Sequence, residues 1–319
     1  MYPEIIEFTE NKPVIAKVAR IDEYPYHWHS NLEIILVLEG KAEVTLCGET
    51  HLLKENEVAV VNVDETHRIK RNGSTNRLLL LQIDPAFCGS VDPDFTYVLF
   101  QCCSTYHEAE VPERYRALKE HIARLVQLLP DDEAGPYDEA VVKARLTELL
   151  AYMTDNFDYL RYGAGTQRIS DRQVHRYRQI YEYVRRKPVE RNSLAELAKD
   201  AGITQQHMSN DIREKYGYSL RELICSGYCM QAARLLLSTD KMIYEISPEC
   251  GFSDPKYLIK SFKQFYGCTP SEFRIRHKTG AEGLAARTRF EDFPLSSAKK
   301  IFVLFPNLKS VNASLGKTI

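Results

Sequence analysis

The chain has 319 residues, with 42 Lys and Arg against 44 Asp and Glu, and is 44% hydrophobic and 27% charged. These proportions suit packed globular domains, two or more at this length, and exclude a disordered or fibrous chain and a uniformly basic nucleic-acid coat. The start, MYPEIIEFTENK, lacks the basic and apolar regions of a signal peptide, and no apolar run approaches the length of a membrane span, so the expected compartment is the cytoplasm, with no membrane partner. Residues 14–18, 32–38, 42–46, 57–63 and 77–83 are short runs rich in Val, Ile and Leu, divided by Gly40, Gly48 and Gly73. That texture predicts a small antiparallel barrel or sandwich.

Within this region, HWHSNLEIILVLEG places His27, His29 and Glu33 close together, and His67 follows in a later run. Alternate residues of a strand share a face, so the four side chains can meet, and imidazole with carboxylate suits Fe, Mn, Ni or Zn. The same residues equally suit a hydrogen-bonding wall for a small polar effector, or satisfied core histidines. We take the effector reading, with Tyr26, His27, His29, Glu33 and His67 as its site, and assign no metal or other cofactor. The neighbours Tyr24, Tyr26 and Trp28 offer rings to stack on a sugar, although such a cluster is more often core. Residues 111–129 carry Tyr115, Leu118, Ile122, Leu125 and Leu129 on one helical face, and residues 137–161 carry Val142, Leu146, Leu149 and Met153 on another. The break from Pro130 to Pro136 reads as the loop of a helical hairpin, which either covers the barrel or forms a dimer contact.

The last third holds one pattern twice. Glu196, Leu197, Ala198, Gly202, Ile203, Met208, Ile212, Tyr216, Gly217 and Ser219 are matched by Glu245, Ile246, Ser247, Gly251, Phe252, Leu258, Phe262, Tyr266, Gly267 and Thr269, with one extra residue just after the glycine. Each copy predicts a helix, a glycine turn and a second helix, the arrangement whose second helix enters the major groove of DNA. Ser193 with Glu196 makes a capping box, Thr204 caps the next helix, and Ser253 or Asp254 caps its counterpart. Gln205, Gln206, Ser209, Asn210 and Arg213 face outward from the first copy, and Lys256, Tyr257, Lys260 and Lys263 from the second. These are the donors and cations that base edges and phosphates require. Leu220, Leu223, Ile224, Ala232, Leu235 and Leu236 mark a connecting helix of about 18 residues, about 27 Å long, suited to holding two reading helices about one turn of DNA apart, near 34 Å. Thr269, Pro270 and Glu272 open a closing helix. Residues 171–278 hold 19 Lys and Arg against 13 Asp and Glu, whereas residues 1–170 hold 17 against 28. A basic segment inside a near-neutral chain fits a DNA-binding domain beside an acidic partner domain.

Across residues 173–278 the chain resembles the AraC/XylS family of bacterial transcription regulators, most of all in GFSDPKYLIKSFKQFYGCTPSEFR, residues 251–274. The resemblance implies base reading by Gln206, Ser209 and Asn210 in the first unit and by Lys256 and Lys260 in the second. Departures from the pattern are Asn210 where Arg is usual, Asp211 where an apolar residue is usual, Tyr228 in place of an Arg, and Pro248 inside a helix, where a proline costs about 3 kcal/mol unless the helix bends or begins late. Residues 10–85 resemble the cupin-type sensor domain often found ahead of this DNA-binding domain, with His27, His29, Glu33 and Gly40 at the first motif and Asn56, Glu57 and His67 near the second.

The expected architecture is an α+β multidomain chain: a cupin-like effector-binding barrel over residues 1–110, a helical dimerisation hairpin over 111–162, a linker over 163–172, an all-α double helix-turn-helix domain over 173–278, and a tail over 279–319 that either packs back or begins another domain. The tail contains the apolar run IFVLF, residues 301–305. The expected function is a non-enzymatic, sequence-specific DNA-binding regulator, with double-stranded DNA, a small effector of carbohydrate type by family analogy, a second copy of the chain and, if it activates, RNA polymerase as partners. The alternatives are a cupin metalloenzyme fused to a DNA-binding domain and a constitutive regulator with a ligand-blind barrel. Eight cysteines, at 47, 88, 102, 103, 225, 229, 250 and 268, show no CxxC pair and read as reduced thiols, with Cys225 and Cys229 spaced for redox sensing.

Overall fold

The computed structural model describes residues 6, 8, 12–46, 49–73, 75–92, 95, 98–131, 135–159, 170–185, 193–216, 218–277 and 288–302. Seven strands come first: β1 (Val14–His27), β2 (Leu32–Glu39), β3 (Lys41–Leu46), β4 (Glu49–Lys54), β5 (Val58–Val61), β6 (His67–Arg71) and β7 (Arg77–Ile83). They pair antiparallel in the order β4-β3-β6-β1-β7-β2-β5 and form a nearly closed barrel. β1 is long enough to serve both halves: its first part, Val14–Ala19, pairs with β7, and its last part, from Glu23 to His27, pairs with β6. Between them Asn76 stands in for a strand, accepting from the Ile21 N–H and donating to the Ile21 carbonyl, both at 2.9 Å. Asn76→Ala is therefore expected to strand two buried backbone groups and cost about 2 kcal/mol, read as a lowered midpoint in urea unfolding.

β2 is buried on both faces. Leu32, Ile34, Leu36 and Leu38 point to the outer helical layer, and Ile35 and Val37 point into the barrel with Ala19, Ile21, Val44, Leu53, Ile69, Leu78 and Leu80. Glu33 keeps the inward parity of Ile35. A bulge between Tyr24 and His27 shifts the parity of β1, which brings His27 to the same interior as His67.

After α1 (Pro85–Val91) and α2 (Ser104–His107) come α3 (Pro112–Leu128) and α4 (Glu139–Phe157). The hairpin expected from the periodicity is present, and Asp138 caps α4 by accepting from the Val141 N–H. All nine face residues named above are buried in one cluster with the outer faces of β2 and β7. The apolar stripe thus covers the barrel within the chain. The end of the chain also returns: β8 (Arg289–Phe293) pairs antiparallel with β1 from Val18 to Glu23. Because Val18 is paired with both Leu79 and Phe293, and Glu23 with both Lys70 and Arg289, β8 occupies the edge of β1 opposite β7 and β6. A last helix, α12 (Ser296–Phe302), seats Leu295, Ala298 and Phe302 in the same core as α3. Ile301 and Phe302 of the IFVLF run end this helix; its other three residues, the linker glycines Gly163 and Gly165, and Cys47 lie outside the described residues.

The DNA-binding region holds α5 (Asp171–Arg185), α6 (Ser193–Asp200), α7 (Gln205–Tyr216), α8 (Leu220–Ser238), α9 (Ile243–Glu249), α10 (Pro255–Tyr266) and α11 (Pro270–His277). The repeat is structural as well as sequential. Gly202 and Gly251 take φ of 65° and 92°, and the next N–H closes each turn on the first helix, Ile203 to the Ala198 carbonyl and Phe252 to the Ser247 carbonyl. Thr204 accepts from the His207 N–H and Asp254 from the Lys256 N–H, so the extra residue of the second copy, Ser253, is absorbed before the cap. Pro248 does not break its helix, which ends at Glu249, the counterpart of Asp200. The side chain of Ser193 lies outside the described residues; the capping boxes at Ser219 with Glu222 and Thr269 with Glu272 are formed. One core gathers Tyr177, Ile180, Leu197, Met208, Ile212 and Leu220, a second gathers Tyr228, Leu236, Ile246, Leu258, Phe262 and Phe273, and α8 runs through both.

Candidate effector site and DNA-reading helices

Inside the barrel, His27, His29, Glu33 and His67 converge and are no more than 3% exposed. One ring nitrogen from each histidine lies within 4.8 Å of the other two. Glu33 Oε2 is 3.4 Å from His29 Nε2 and 3.2 Å from His67 Nε2. Each imidazole is oriented by its own chain: Nδ1 of His27 meets the Pro25 carbonyl at 2.8 Å, Nδ1 of His29 the Asn31 carbonyl at 3.1 Å, and Nδ1 of His67 the Glu65 carbonyl at 3.0 Å. A carbonyl only accepts, so Nδ1 carries a hydrogen in all three rings. Burial, aided by His67 and His29, pushes the His27 imidazole well below its ordinary range. Burial alone would raise the Glu33 carboxyl, but the two adjacent histidines outweigh it and hold the group well below the usual carboxylate range.

Among the described residues, Glu33 Oε2 and His67 Nε2 are buried without a hydrogen-bond partner although they face each other. The other carboxylate oxygen accepts from Gln82 Nε2 at 3.1 Å across the β2–β7 pair. Sequence reading missed Gln82; its signal was a lone amide ending the run LLLLQI. Imidazoles whose Nδ1–H is tied to a carbonyl, and a carboxylate braced by an amide, are the orienting shell that metal ligands carry. The donor set therefore fits a divalent transition ion.

Tyr26 does not line this site. It stands on the opposite face of β1 and joins the second DNA-binding core with Trp28, 5.4 Å from the Phe273 ring and 4.8 Å from the His277 ring, with the Arg68 guanidinium 5.1 Å from its own ring. Strand alternation explains the correction: the residues flanking two inward histidines must point outward. Tyr24 stays against the barrel interior, 4.3 Å from His27.

On α7, Gln205, Gln206, Asn210 and Arg213 are exposed and Ser209 is half-buried, while Met208 and Ile212 are buried. Gln206 donates to Asn210 Oδ1 at 3.0 Å, which aligns two amides on one turn. Asp211 turns inward to Arg176 of α5 and lies 3.4 Å from His207. On α10, Lys256, Tyr257, Lys260 and Lys263 are exposed and Leu258 and Phe262 buried. Tyr228 lies on the linker helix and packs against Gly251 and edge-on to Phe252 at 5.4 Å. Cys225 and Cys229 are free thiols, and burial pushes both above their ordinary range, the reverse of what a reactive thiolate needs.

The fold and its two exposed helices define a two-domain DNA-binding transcription regulator with a ligand-binding barrel. The chain belongs to the AraC family: residues 15–150 match the AraC-like ligand binding domain and residues 197–276 the helix-turn-helix domain of that family. It is 22% identical over 286 residues to the uncharacterized HTH-type transcriptional regulator YdeC of Bacillus subtilis, covering 84% of this chain and 95% of that one. It is 20% identical over 250 residues to the probable transcriptional regulator LumQ of Photobacterium leiognathi, covering 78% and 92%. Among solved structures, unsaturated fatty acid bound ToxT from Vibrio cholerae is similar at 15% identity and a TM-score of 0.43, over 86% of this chain and 99% of that one. No helix among the described residues is long and apolar enough to cross a membrane.

Proposed function

We propose that this chain is a non-enzymatic cytoplasmic regulator that grips double-stranded DNA as a homodimer, through α7 and α10 of each copy, and changes its grip when a small effector occupies the barrel at His27, His29, Glu33 and His67. The observation that carries the reading is the pair of outward rows of amides and cations, held at the two ends of α8 by matching turns. Since α3 and α4 spend their apolar faces on the barrel, the dimer contact falls to their outer faces, and sedimentation tests it. RNA polymerase is a partner if the protein activates. A carbohydrate effector rests on the family resemblance alone, because Tyr26 and Trp28 are turned to the DNA-binding region and the barrel interior beyond the site is filled by apolar side chains. A small polar or ionic occupant suits that space better.

The test is fluorescence anisotropy with duplexes from the gene's own neighbourhood at low salt, with and without candidate effectors. Salt-dependent binding is expected; failure to bind any duplex in either condition sinks the reading. With an operator in hand, Lys260→Ala should reduce the slope of log affinity against log salt by about 0.9, one phosphate contact. Asn210→Ala should leave that slope unchanged and weaken binding less.

A further inference from the structure

The outer face of α5 is a row of polar side chains with a wall opposite it. Arg172, His175, Arg176 and Gln179 recur at helical spacing on the side of α5 away from Tyr177 and Ile180, which enter the core of the first helix-turn-helix unit. The end of α6 rises beside this row, and the two sides enclose a groove of about 440 Å³ whose far wall is Asp200 and Ala201. That volume falls within the range of small-molecule sites. Arg172, His175 and Asp200 are exposed, so the groove opens to solvent. An outward row of cations is ordinarily a solvated helix face, but two features set this one apart. Among the described residues, Arg172, His175 and Gln179 make no hydrogen bond or ion pair, and Asp200 forms no ion pair with either arginine of its own groove. Arg176 is held in place: it donates through Nη1 to Asp211 of α7, and its other guanidinium donors are uncommitted among the described residues.

The donors define one ligand chemistry. Two guanidiniums one helical turn apart, with an imidazole and an amide on the same row, are a donor set for an oxyanion. A phosphoryl group has three terminal oxygens to share among Arg172, His175 and Arg176, whereas a carboxylate has two. Asp200 is the acceptor of the groove and suits a hydroxyl group on the rest of the ligand. Asp211, which marks the α5 side of α7, lies about 140° round that helix from Gln206 and about 160° from Arg213. The groove therefore stands behind the row that reads DNA, and its ligand is a free molecule rather than the duplex. We propose that the groove between α5 and α6 binds a small hydroxylated phosphate monoester through Arg172, His175, Arg176 and Gln179, and that its capture braces the first reading helix. Arg176 is the link to α7, with one edge on Asp211 and the other on the phosphoryl group. Asp200 is the link to α6, two residues before the Gly202 turn that sets the angle of α7. This second effector site lies outside the barrel; its effect on DNA rests on the reading of the chain as a DNA-binding regulator. That effect equals the difference in the ligand's affinity for the free and DNA-bound arrangements.

The experiment uses the full-length chain in phosphate-free buffer of fixed ionic strength, with glucose 6-phosphate as the probe and glucose as its control. Calorimetric titration should show one site per chain with a Kd of about 1 mM or tighter, and no heat with glucose. Arg172→Gln should weaken binding about tenfold or more, the loss of a charge-assisted contact, whereas Lys54→Gln, which removes the same charge from the barrel surface, should not. Both residues are exposed, so neither change threatens the fold. Hydrogen exchange with the probe should slow by about threefold in residues 171–180 and 197–203 and stay unchanged in residues 255–266. No saturable heat, or equal binding by the two variants, overturns the site. Anisotropy with a duplex reads the coupling: saturating probe should tighten duplex binding about fivefold, and should not do so in Arg172→Gln. Unchanged duplex affinity overturns the coupling and leaves the site standing. A duplex displaced by the probe would place a backbone phosphate in the groove and overturn the small-molecule assignment. If no duplex binds in any condition, the regulator reading fails and calorimetry alone decides the site.

Discussion

Replacing Gly251 by alanine is expected to cost about 4 kcal/mol and to unfold the second helix-turn-helix unit before the rest of the chain. Two terms contribute. At φ of 92° a β-carbon clashes with its own backbone, at about 1–2 kcal/mol. The same carbon would lie 2.5 Å from Cζ of Tyr228 and under 3.0 Å from both Cε atoms, and the ring has no room to retreat because it is buried against Phe252. Such overpacking costs about 1–3 kcal/mol. Gly202→Ala separates the terms: its φ is 65° and none of the described residues lies within 4 Å of the added carbon, so only the backbone cost of about 1 kcal/mol remains. Urea unfolding of the two variants, and of Gly251→Ala combined with Tyr228→Leu, should show the larger loss at Gly251 partly relieved by the smaller neighbour. Equal losses at the two glycines would mean that Tyr228 does not close over the turn.

Asp211→Ala should be the second costly change, about 3 kcal/mol, although Asp211 sits on a DNA-reading helix. Its carboxylate is largely buried and pairs with Arg176, itself only 15% exposed, so the truncation strands a guanidinium between α5 and α7. Replacing both partners by apolar residues, Asp211→Leu with Arg176→Met, removes the stranded charge and should return stability to within about 1 kcal/mol of the starting protein. The double-mutant cycle thus distinguishes a structural pair from a DNA contact. A single variant with full stability and weakened DNA binding would show that Asp211 faces the duplex.

The features legible in the sequence were those whose burial is one-sided and local. β2, β3 and β7 were visible because Val, Ile and Leu fill them, and the repeat was visible because both copies need glycine in the turn and an apolar residue every fourth position. β4 (ETHLLK), β6 (HRIKR) and β8 (RFEDF) were missed because much of each strand faces solvent and their charges mask the alternation. The second half of β1 was hidden by the bulge that changes its parity. The four site residues were legible through the resemblance to the cupin-type motifs, which sets His67 of a later strand beside His27, His29 and Glu33; Gln82 was not, because its role depends on register with Glu33 across two strands. Tyr26 was misplaced for a related reason: which face of β1 meets α11 is a matter of domain docking, and no local pattern encodes it. Asp211 stands in the sequence only as a departure from the family pattern, because the partner that explains it, Arg176, lies thirty-five positions earlier.

The pairing of β8 with β1 alters how the molecule is put together. The DNA-binding helices leave the barrel side after α4 and the chain comes back to it at β8, so they form an insertion within one larger fold, tethered at both ends. Swinging on a single linker is closed to them while β8 stays paired, and any change of docking must bend two connections at once. The pairing also joins residues nearly the whole chain apart, Val18 to Phe293. On the ribosome that edge of β1 waits until both helix-turn-helix units have emerged. Barrel completion therefore follows DNA-domain synthesis, and a chain cut short after α11 leaves the β1 edge open to another strand.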